Sequence, residues 1–381
     1  MSATYKTPAA LDAALKERQR RRAREQGVPF NRLAQTDMYF RFLERVLREL
    51  GDGAVVVKGG VALEMRLQRA RTTLDVDLRV LGPPNEIYER IRAAGLRDHG
   101  DFLSFQVVEW RGDIEGDGVV YEGRRFRVQA MMAGKPYRDP FGLDIAFGDP
   151  MIGPPDKIIA PDAFSFAGIS PPTIPIYPLG THLAEKLHAY TLPRERANSR
   201  LKDLVDIALV AKEPALKPSP VIWASTISQA LEQTFAARKS HDLPQMLPSP
   251  PEAWRARYVR EKSNNNLPWG SIDDVHAEAA RFLNPVLQGT ARGMWDPNTT
   301  GWSLELAILH ALPQDLAPMG FHDLASKLDA DVGVVASTVH RLADAGDPLV
   351  DIISDDQDGV PIELLLTGRG QVRLRRSSSG A

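Results

Sequence analysis

The stretch Ala54-Val-Val-Val-Lys58-Gly-Gly60-Val-Ala-Leu-Glu-Met-Arg-Leu67, followed by Arg71-Thr-Thr-Leu-Asp75-Val-Asp77-Leu-Arg-Val80, decides the architecture. Ala54 to Val57 is short, apolar and β-branched, which predicts a buried strand ending at a turn formed by Gly59 and Gly60. A helix then starts at Val61, with Leu63, Met65 and Leu67 as its apolar contacts. In Leu74 to Val80 the strand period of two puts Asp75 and Asp77 on one face and Leu74, Val76 and Leu78 on the other.

Working outward, two helical patterns precede this unit, Leu11 to about Gln26 and Asp37 to about Leu50. A helix from about Asn85 to Ala94 follows it, then strands near Leu103 to Trp110, Arg124 to Met131 and Phe141 to Phe147. Gly and Asp residues between Asp113 and Gly118 mark a hairpin turn. The last strand alternates so that Asp144 stands among apolar neighbours as a third candidate carboxylate. A proline-rich passage, Pro154 to Pro178, reads as an extended connection. Helices follow at about Leu179 to Thr191, Asn198 to Lys212, Val221 to Arg238, Pro251 to Lys262 and Ile272 to Leu287.

Beyond a Gly/Asn/Thr boundary at Asp296 to Gly301, three helices precede a hairpin about Asp355-Asp-Gln-Asp-Gly359. Three helices and a hairpin describe a winged helix-turn-helix. Its recognition helix has only Arg341 as a firm cation, and Asp355, Asp356 and Asp358 in the wing turn would be repelled by phosphate. A protein-binding or regulatory role is therefore favoured over DNA contact. Residues from Arg375 onward read as an unstructured tail. The expected fold class is α+β, with a core over 1–212, a helical region over 213–298 and the winged unit over 299–381.

A chain of 381 residues, 43% hydrophobic and 25% charged, can bury a sizeable core. The absence of cysteine removes disulfides and thiolate metal sites, which makes a cytoplasmic location the default. No apolar run reaches the roughly 18 residues a membrane-spanning helix needs, so no membrane partner is expected. Charge is uneven: residues 1–50 carry eleven Lys/Arg against six Asp/Glu, and residues 301–381 six against twelve. The two ends are therefore suited to different partners, or to each other. The run Lys16, Arg18, Arg20, Arg21, Arg22, Arg24 suits an RNA backbone as well as it suits a solvated helix face.

Metal-assisted nucleotidyl transfer needs backbone N–H groups for a triphosphate, carboxylates for Mg²⁺ and a means of orienting the attacking hydroxyl. Gly59 and Gly60 let backbone approach phosphate at a helix N-terminus. Asp75 and Asp77 suit a two-metal site, with Asp144 completing the second position and helping to deprotonate the acceptor. A strand with alternating acids on a solvated face is the simpler reading of Asp-x-Asp alone. Further on, Lys186, Asp203 and Asp206 lie on two amphipathic helices. Spacing by itself describes surface ion pairs there, such as Lys202 with Asp206 at i, i+4, or else a lysine that meets a triphosphate. His182 and His188 lack companions for zinc and read as structural.

Lys58-Gly-Gly-Val-Ala-Leu with Arg71-Thr-Thr-Leu-Asp75-Val-Asp77-Leu resembles the first motif of the AbiEii/AbiGii toxin family, nucleotidyltransferase-like proteins of abortive-infection and MenT-type toxin–antitoxin systems. Glu185-Lys186-Leu-His-Ala and Arg200-Leu-Lys-Asp203-Leu-Val-Asp206 resemble its second block, and Leu247 to Trp254 is also similar. The resemblance covers about residues 10 to 295. It implies a polymerase-β-like core in which Gly59 and Gly60 hold phosphates and Asp75 and Asp77 hold metal. It further implies that Lys186 contacts the nucleotide and Asp203 supports catalysis, with Lys58 and Arg71 counted among the nucleotide-binding residues. Val61 departs from the family, which often has a hydroxyl residue there. The implied activity is transfer of a nucleotide from an NTP with Mg²⁺ to RNA, in particular the tRNA 3′ end, blocking translation, with an antitoxin as partner. Transfer to a protein or small-molecule hydroxyl, and a non-catalytic winged-helix regulator, are the alternatives.

Overall fold

Strand alternation places an apolar ridge and a charged ridge on opposite faces of one sheet, and the sheet is the scaffold for everything that follows. The computed structural model describes residues 5–51, 53–67, 73–109, 123–194, 198–219, 221–355 and 361–379. The chain divides into two units, Met1–His182 and Leu183–Ala381.

In the first unit the helices α1 (Pro8–Gln26) and α2 (Phe30–Leu50) lead into β1 (Val55–Lys58), α3 (Gly59–Arg66) and β2 (Asp75–Val80). There follow α4 (Pro84–Leu96), β3 (Leu103–Glu109), β4 (Gly123–Met132), β5 (Lys135–Pro136) and β6 (Phe141–Phe147), then β7 (Asp156–Ile159) and β8 (Thr173–Ile176). The strands form one mixed sheet in the order β3-β4-β6-β2-β1-β8-β7, with β5 on β4. β1 runs antiparallel to β2, and β2 runs parallel to β6.

Val57, Val76, Leu78, Leu143, Ile145 and Phe126 line the inner face and join Phe42, Leu43 and Val46 of α2 and Ile87 and Ile91 of α4 in one buried cluster. At the end of α2, burial opposes ionisation of Asp101, but Arg45 and Arg41 together hold its carboxyl below the usual carboxylate range. Arg41 Nε lies 2.8 Å and Arg45 Nη2 2.6 Å from that carboxylate. This buried network pins α2 to the loop before β3, so the sheet is fixed from its covered side.

Three details differ from the sequence reading. The helix after the glycine pair begins at Gly59 rather than Val61. Leu74 is 69% exposed and precedes the strand, so the apolar ridge of β2 is Val76, Leu78 and Val80. The proline-rich passage contains β7 and β8, with β8 pairing parallel to β1 through Val57 and Ile176. Prolines interrupt the alternation by which such short strands are recognised. The predicted hairpin turn at 113–118 lies outside the described residues.

The second unit opens with α5 (Leu179–Thr191), which begins just ahead of the division, then α6 (Leu201–Lys212), α7 (Ala224–Arg238), α8 (Trp254–Asn265) and α9 (Ile272–Leu287). The Gly/Asn/Thr segment is spanned by a ribbon, β9 (Met294–Asp296) and β10 (Gly301–Ser303), that pairs Trp295 with Trp302. The Trp295 indole donates to the Ala211 carbonyl of α6 at 2.7 Å, and that of Trp302 to the Phe282 carbonyl of α9 at 2.9 Å. After α10 (Leu304–Ala311) come β11 (Met319–Gly320), α11 (Phe321–Leu328), α12 (Val332–Ala343), β12 (Val350–Asp355), β13 (Pro361–Leu366) and α13 (Gly368–Ser379). The sheet order is β11-β13-β12, and Leu309, Phe321, Leu324, Val335, Val339 and Leu364 form its core. Where composition predicts a tail from Arg375, α13 continues to Ser379. The wing residues Asp356 and Asp358 lie outside the described residues. Among the described residues there are thirteen α-helices and three β-sheets, an α+β protein.

Candidate active site

The solvent face of the first unit's sheet carries its charge in register. Lys58 of β1 pairs across from Asp77 of β2, Asp77 from Asp144 of β6, and Asp144 from Arg125 of β4. Directly opposed residues point to the same face, so one rung across four strands reads cation, carboxylate, carboxylate, cation. The neighbouring rung is Asp75, Gly142 and Arg127.

Two glycines make room for the carboxylates. Gly59 has φ +62°, and a Cβ there would overlap Asp77 Oδ2. A Cβ at Gly142 would overlap Asp75 Oδ1 in the same way. The first collision explains why a residue without a side chain closes β1. The second sets Gly142 against the candidate carboxylate Asp75, a place that sequence reading passes over as one more strand position. Lys58 occupies the N-cap position of α3 and supplies no side-chain acceptor for its first turn, so the Gly59-Gly60 end presents N–H groups and positive dipole on the carboxylate side.

The cations of this face are held by named partners. Arg125 Nε donates to Asp144 Oδ1 at 2.6 Å and its Nη2 donates to Oδ2, a two-pronged pair. Those hydrogen bonds hold the Arg125 proton more firmly than usual; burial works against this, and the charges of Asp144, Asp75 and Asp77 add to it. Lys58 pairs with Asp149, and Arg79 Nε donates to the Asp149 carbonyl at 2.7 Å. Arg125 and Asp149 are charged residues of this face that sequence reading missed. Arg125 stands in a strand with Arg124 and Arg127, and only the register selects it. Arg71 lies outside the described residues.

Asp77 of β2 and Asp144 of β6 stand directly opposite each other, with Asp75 on the same face of β2. Among the described residues no group of three or more His, Asp or Glu side chains converges closely enough to hold a metal ion. At Asp144 both carboxylate oxygens accept from the Arg125 guanidinium. Asp75 and Asp77 do fit Mg²⁺ by chemistry: they are hard oxygen donors on one face of β2, lying against Gly142 and Gly59.

The second unit gathers Lys186, Asp203 and Asp206. Lys186 Nζ lies 2.6 Å from Asp206 Oδ2 and 3.3 Å from Asp203 Oδ1. Lys186 is 7% exposed and Asp206 is fully buried, which corrects the surface pairing of Lys202 with Asp206. Lys202 instead lies 4.0 Å from Glu261. A lysine can be buried on α5 because α6 brings it a carboxylate.

His188 shares a 2.7 Å hydrogen bond with Ser240 and packs edge-on against Phe235. Burial first, and then the nearby His241, Arg238 and Arg194, push it down to about 4, so it is neutral at neutral pH. Most of the basic run on α1 is engaged within the unit: Lys16 with Asp12, Arg21 with Glu25, Arg22 with Asp37, Arg18 over the Phe166 ring at 4.0 Å and Arg20 over the Phe30 ring at 5.7 Å. Arg20 and Arg24 face solvent.

A model of the family described as nucleotidyl transferase AbiEii toxin, type IV toxin–antitoxin system, matches residues 41–290. No curated protein matches the chain. Among solved structures it is similar to MenT4, a nucleotidyltransferase toxin from Mycobacterium tuberculosis, at 18% identity and a TM-score of 0.43, covering 71% of this chain and 98% of that one. It is also similar to JHP933 from Helicobacter pylori, at 15% identity and a TM-score of 0.38, covering 67% of this chain and 93% of that one. No helix among the described residues is long and apolar enough to cross a membrane.

Proposed function

Because the chain belongs to the AbiEii nucleotidyltransferase toxin family, we propose that it transfers a nucleoside monophosphate from an NTP to an RNA hydroxyl, with the tRNA 3′ end as acceptor. The single observation that carries this reading is the charged rung Lys58–Asp77–Asp144–Arg125 lying beside the Gly59 turn. Gly59 and Gly60 present α3 backbone N–H groups to the triphosphate, and Asp75 and Asp77 hold Mg²⁺. Bound there, the ion supplies Lewis-acid stabilisation of the transferring phosphoryl group. Asp144 receives the proton of the acceptor hydroxyl as its oxygen bonds to the α-phosphorus and pyrophosphate departs with the broken P–O bond. Lys186 serves as a nucleotide contact and Asp203 as its support, roles that rest on the family motif. Lys58 and Arg71 complete the nucleotide-binding set.

The exposed Arg20 and Arg24 of α1 suit RNA phosphate. The order β11-β13-β12 behind α10, α11 and α12 supports a winged helix-turn-helix over 299–381, following the core over 1–212 and the helical region over 213–298. On α12, Arg341 is paired with Glu305 at 2.9 Å, which favours a regulatory or protein-binding role, including toward an antitoxin, over DNA contact. Family membership argues against a non-catalytic regulator, so the second reading is transfer to a protein or small-molecule hydroxyl at the same rung. Purified protein incubated with each labelled NTP, Mg²⁺ and total RNA discriminates them. Label in tRNA is expected; label only in protein or a small molecule transfers the proposal to the second reading, and absence of label from every acceptor overturns both.

A further inference from the structure

Arg125 is the one cation of the rung that grips a candidate metal-binding carboxylate with both prongs of its guanidinium. Asp75 and Asp77 lie on β2, whereas Asp144 reaches the same face from β6, where β4 is its other neighbour. The antiparallel register sets Arg125 directly opposite Asp144, and no backbone movement is needed for the pair to form. Arg125 is bound first of all through Asp144, with the charges of Asp75 and Asp77 as lesser contributions. Both partners remain partly solvent-accessible, 43% for Arg125 and 31% for Asp144 by side chain. A pair in that environment is weak enough to exchange, unlike the buried Lys186–Asp206 pair.

We propose that Arg125 is a tethered counter-ion that competes with a divalent cation for Asp144, so that the second metal position is completed only when the guanidinium lets go. The proposal rests on the transferase reading for the role of Asp144. Its physical basis is charge. Three carboxylates on adjacent strands repel one another in the absence of metal, and a fixed guanidinium cancels part of that repulsion without metal. The same guanidinium becomes an obstacle when Mg²⁺ arrives, because both seek the same two oxygens. Arg125 is thus a positioning residue that governs metal occupancy, and its removal changes metal affinity before any nucleotide or acceptor is present.

The test is a titration of the full chain with Mn²⁺, followed by electron paramagnetic resonance and without NTP or RNA, for wild type, Arg125→Gln, Asp144→Asn and the double variant. Arg125→Gln is expected to bind Mn²⁺ more tightly than wild type, by up to about fivefold, a range set by partly exposed ion pairs. Asp144→Asn is expected to weaken binding, and the double variant to behave as Asp144→Asn alone, since the arginine acts through that carboxylate. Thermal melts of the four proteins, read without metal, report that each is folded. An Arg125→Gln isotherm that matches wild type or is weaker overturns the proposal, as does a double variant that binds more tightly than Asp144→Asn. Labelled-NTP transfer is read separately, so failure of the catalytic reading is distinguishable from failure of the counter-ion.

Discussion

The two units hold their charged groups in opposite ways. On the first unit's sheet the carboxylates are exposed or half-buried, arrayed by strand register over glycines. In the second unit Lys186 and Asp206 are buried, and helix packing locks them to each other. An open array of like charges makes its best contacts with mobile ions and substrates. A buried pair has already met its partner, and the cost of desolvating both charges leaves little tolerance for loss of either. Charge on the sheet is therefore expected to govern chemistry, whereas the Lys186–Asp206 charge is expected to govern folding as well as any contact Lys186 makes.

The largest effect that would break this contrast is at Asp206. Asp206→Ala takes from a buried ammonium its 2.6 Å partner, leaving Asp203 at 3.3 Å, and is expected to destabilise the protein by about 3 kcal/mol, measured by chemical denaturation. Asp77→Asn, in the same assay, is expected to stay within about 0.5 kcal/mol of wild type, the range of substitutions on open surfaces. Equal losses at the two positions would erase the distinction.

A smaller effect sharpens the role of register. Gly142→Ala places a methyl group against the Asp75 carboxylate, displacing a proposed metal-binding side chain without removing it. Nucleotidyl transfer is expected to fall about 100-fold, the scale of a misplacement of about 1 Å. Gly148→Ala is the control for strain: φ is +73° with open space around the added methyl, so it is expected to lower stability while leaving transfer by the folded fraction intact.

The smallest effect is the response to acid. His188 has its folded-state value pushed below 6.5, to about 4, so the unfolded chain binds the extra proton first. Its contribution to stability is complete above about 6.5 and is lost as pH falls toward 4. Asp37 in the first unit has the opposite sign. Burial raises it to about 6 against the pull of Arg22, Gln19 and Arg138, so the folded chain keeps a proton that the unfolded chain releases, and stability is lost as pH rises from about 4 to 6. Thermal melts across this range are expected to show a shallower acid loss in His188→Gln and a steeper one in Asp37→Asn.

Local alternation made β1, β2 and β6 legible, and with them Gly59, Asp75, Asp77 and Asp144. It could not supply which residue faces which across strands far apart in sequence, because register depends on long-range pairing. For that reason Arg125 and Gly142 were invisible as site residues although their strands were anticipated. The same limit applies at Asp206: a helical wheel puts it off the main apolar stripe, but α6 is covered on more than one side and the acid is buried. The strands β7 and β8 were missed because the prolines flanking β7 and the one inside β8 read as punctuation.

The most direct test of the central claim is single-turnover transfer of labelled nucleotide to total tRNA by wild type, Asp77→Asn and Asp75→Asn at saturating Mg²⁺. The account predicts labelled tRNA from wild type and a loss of about 1000-fold or more in both variants, with melting temperatures unchanged. Folded variants that label tRNA at the wild-type rate would contradict it.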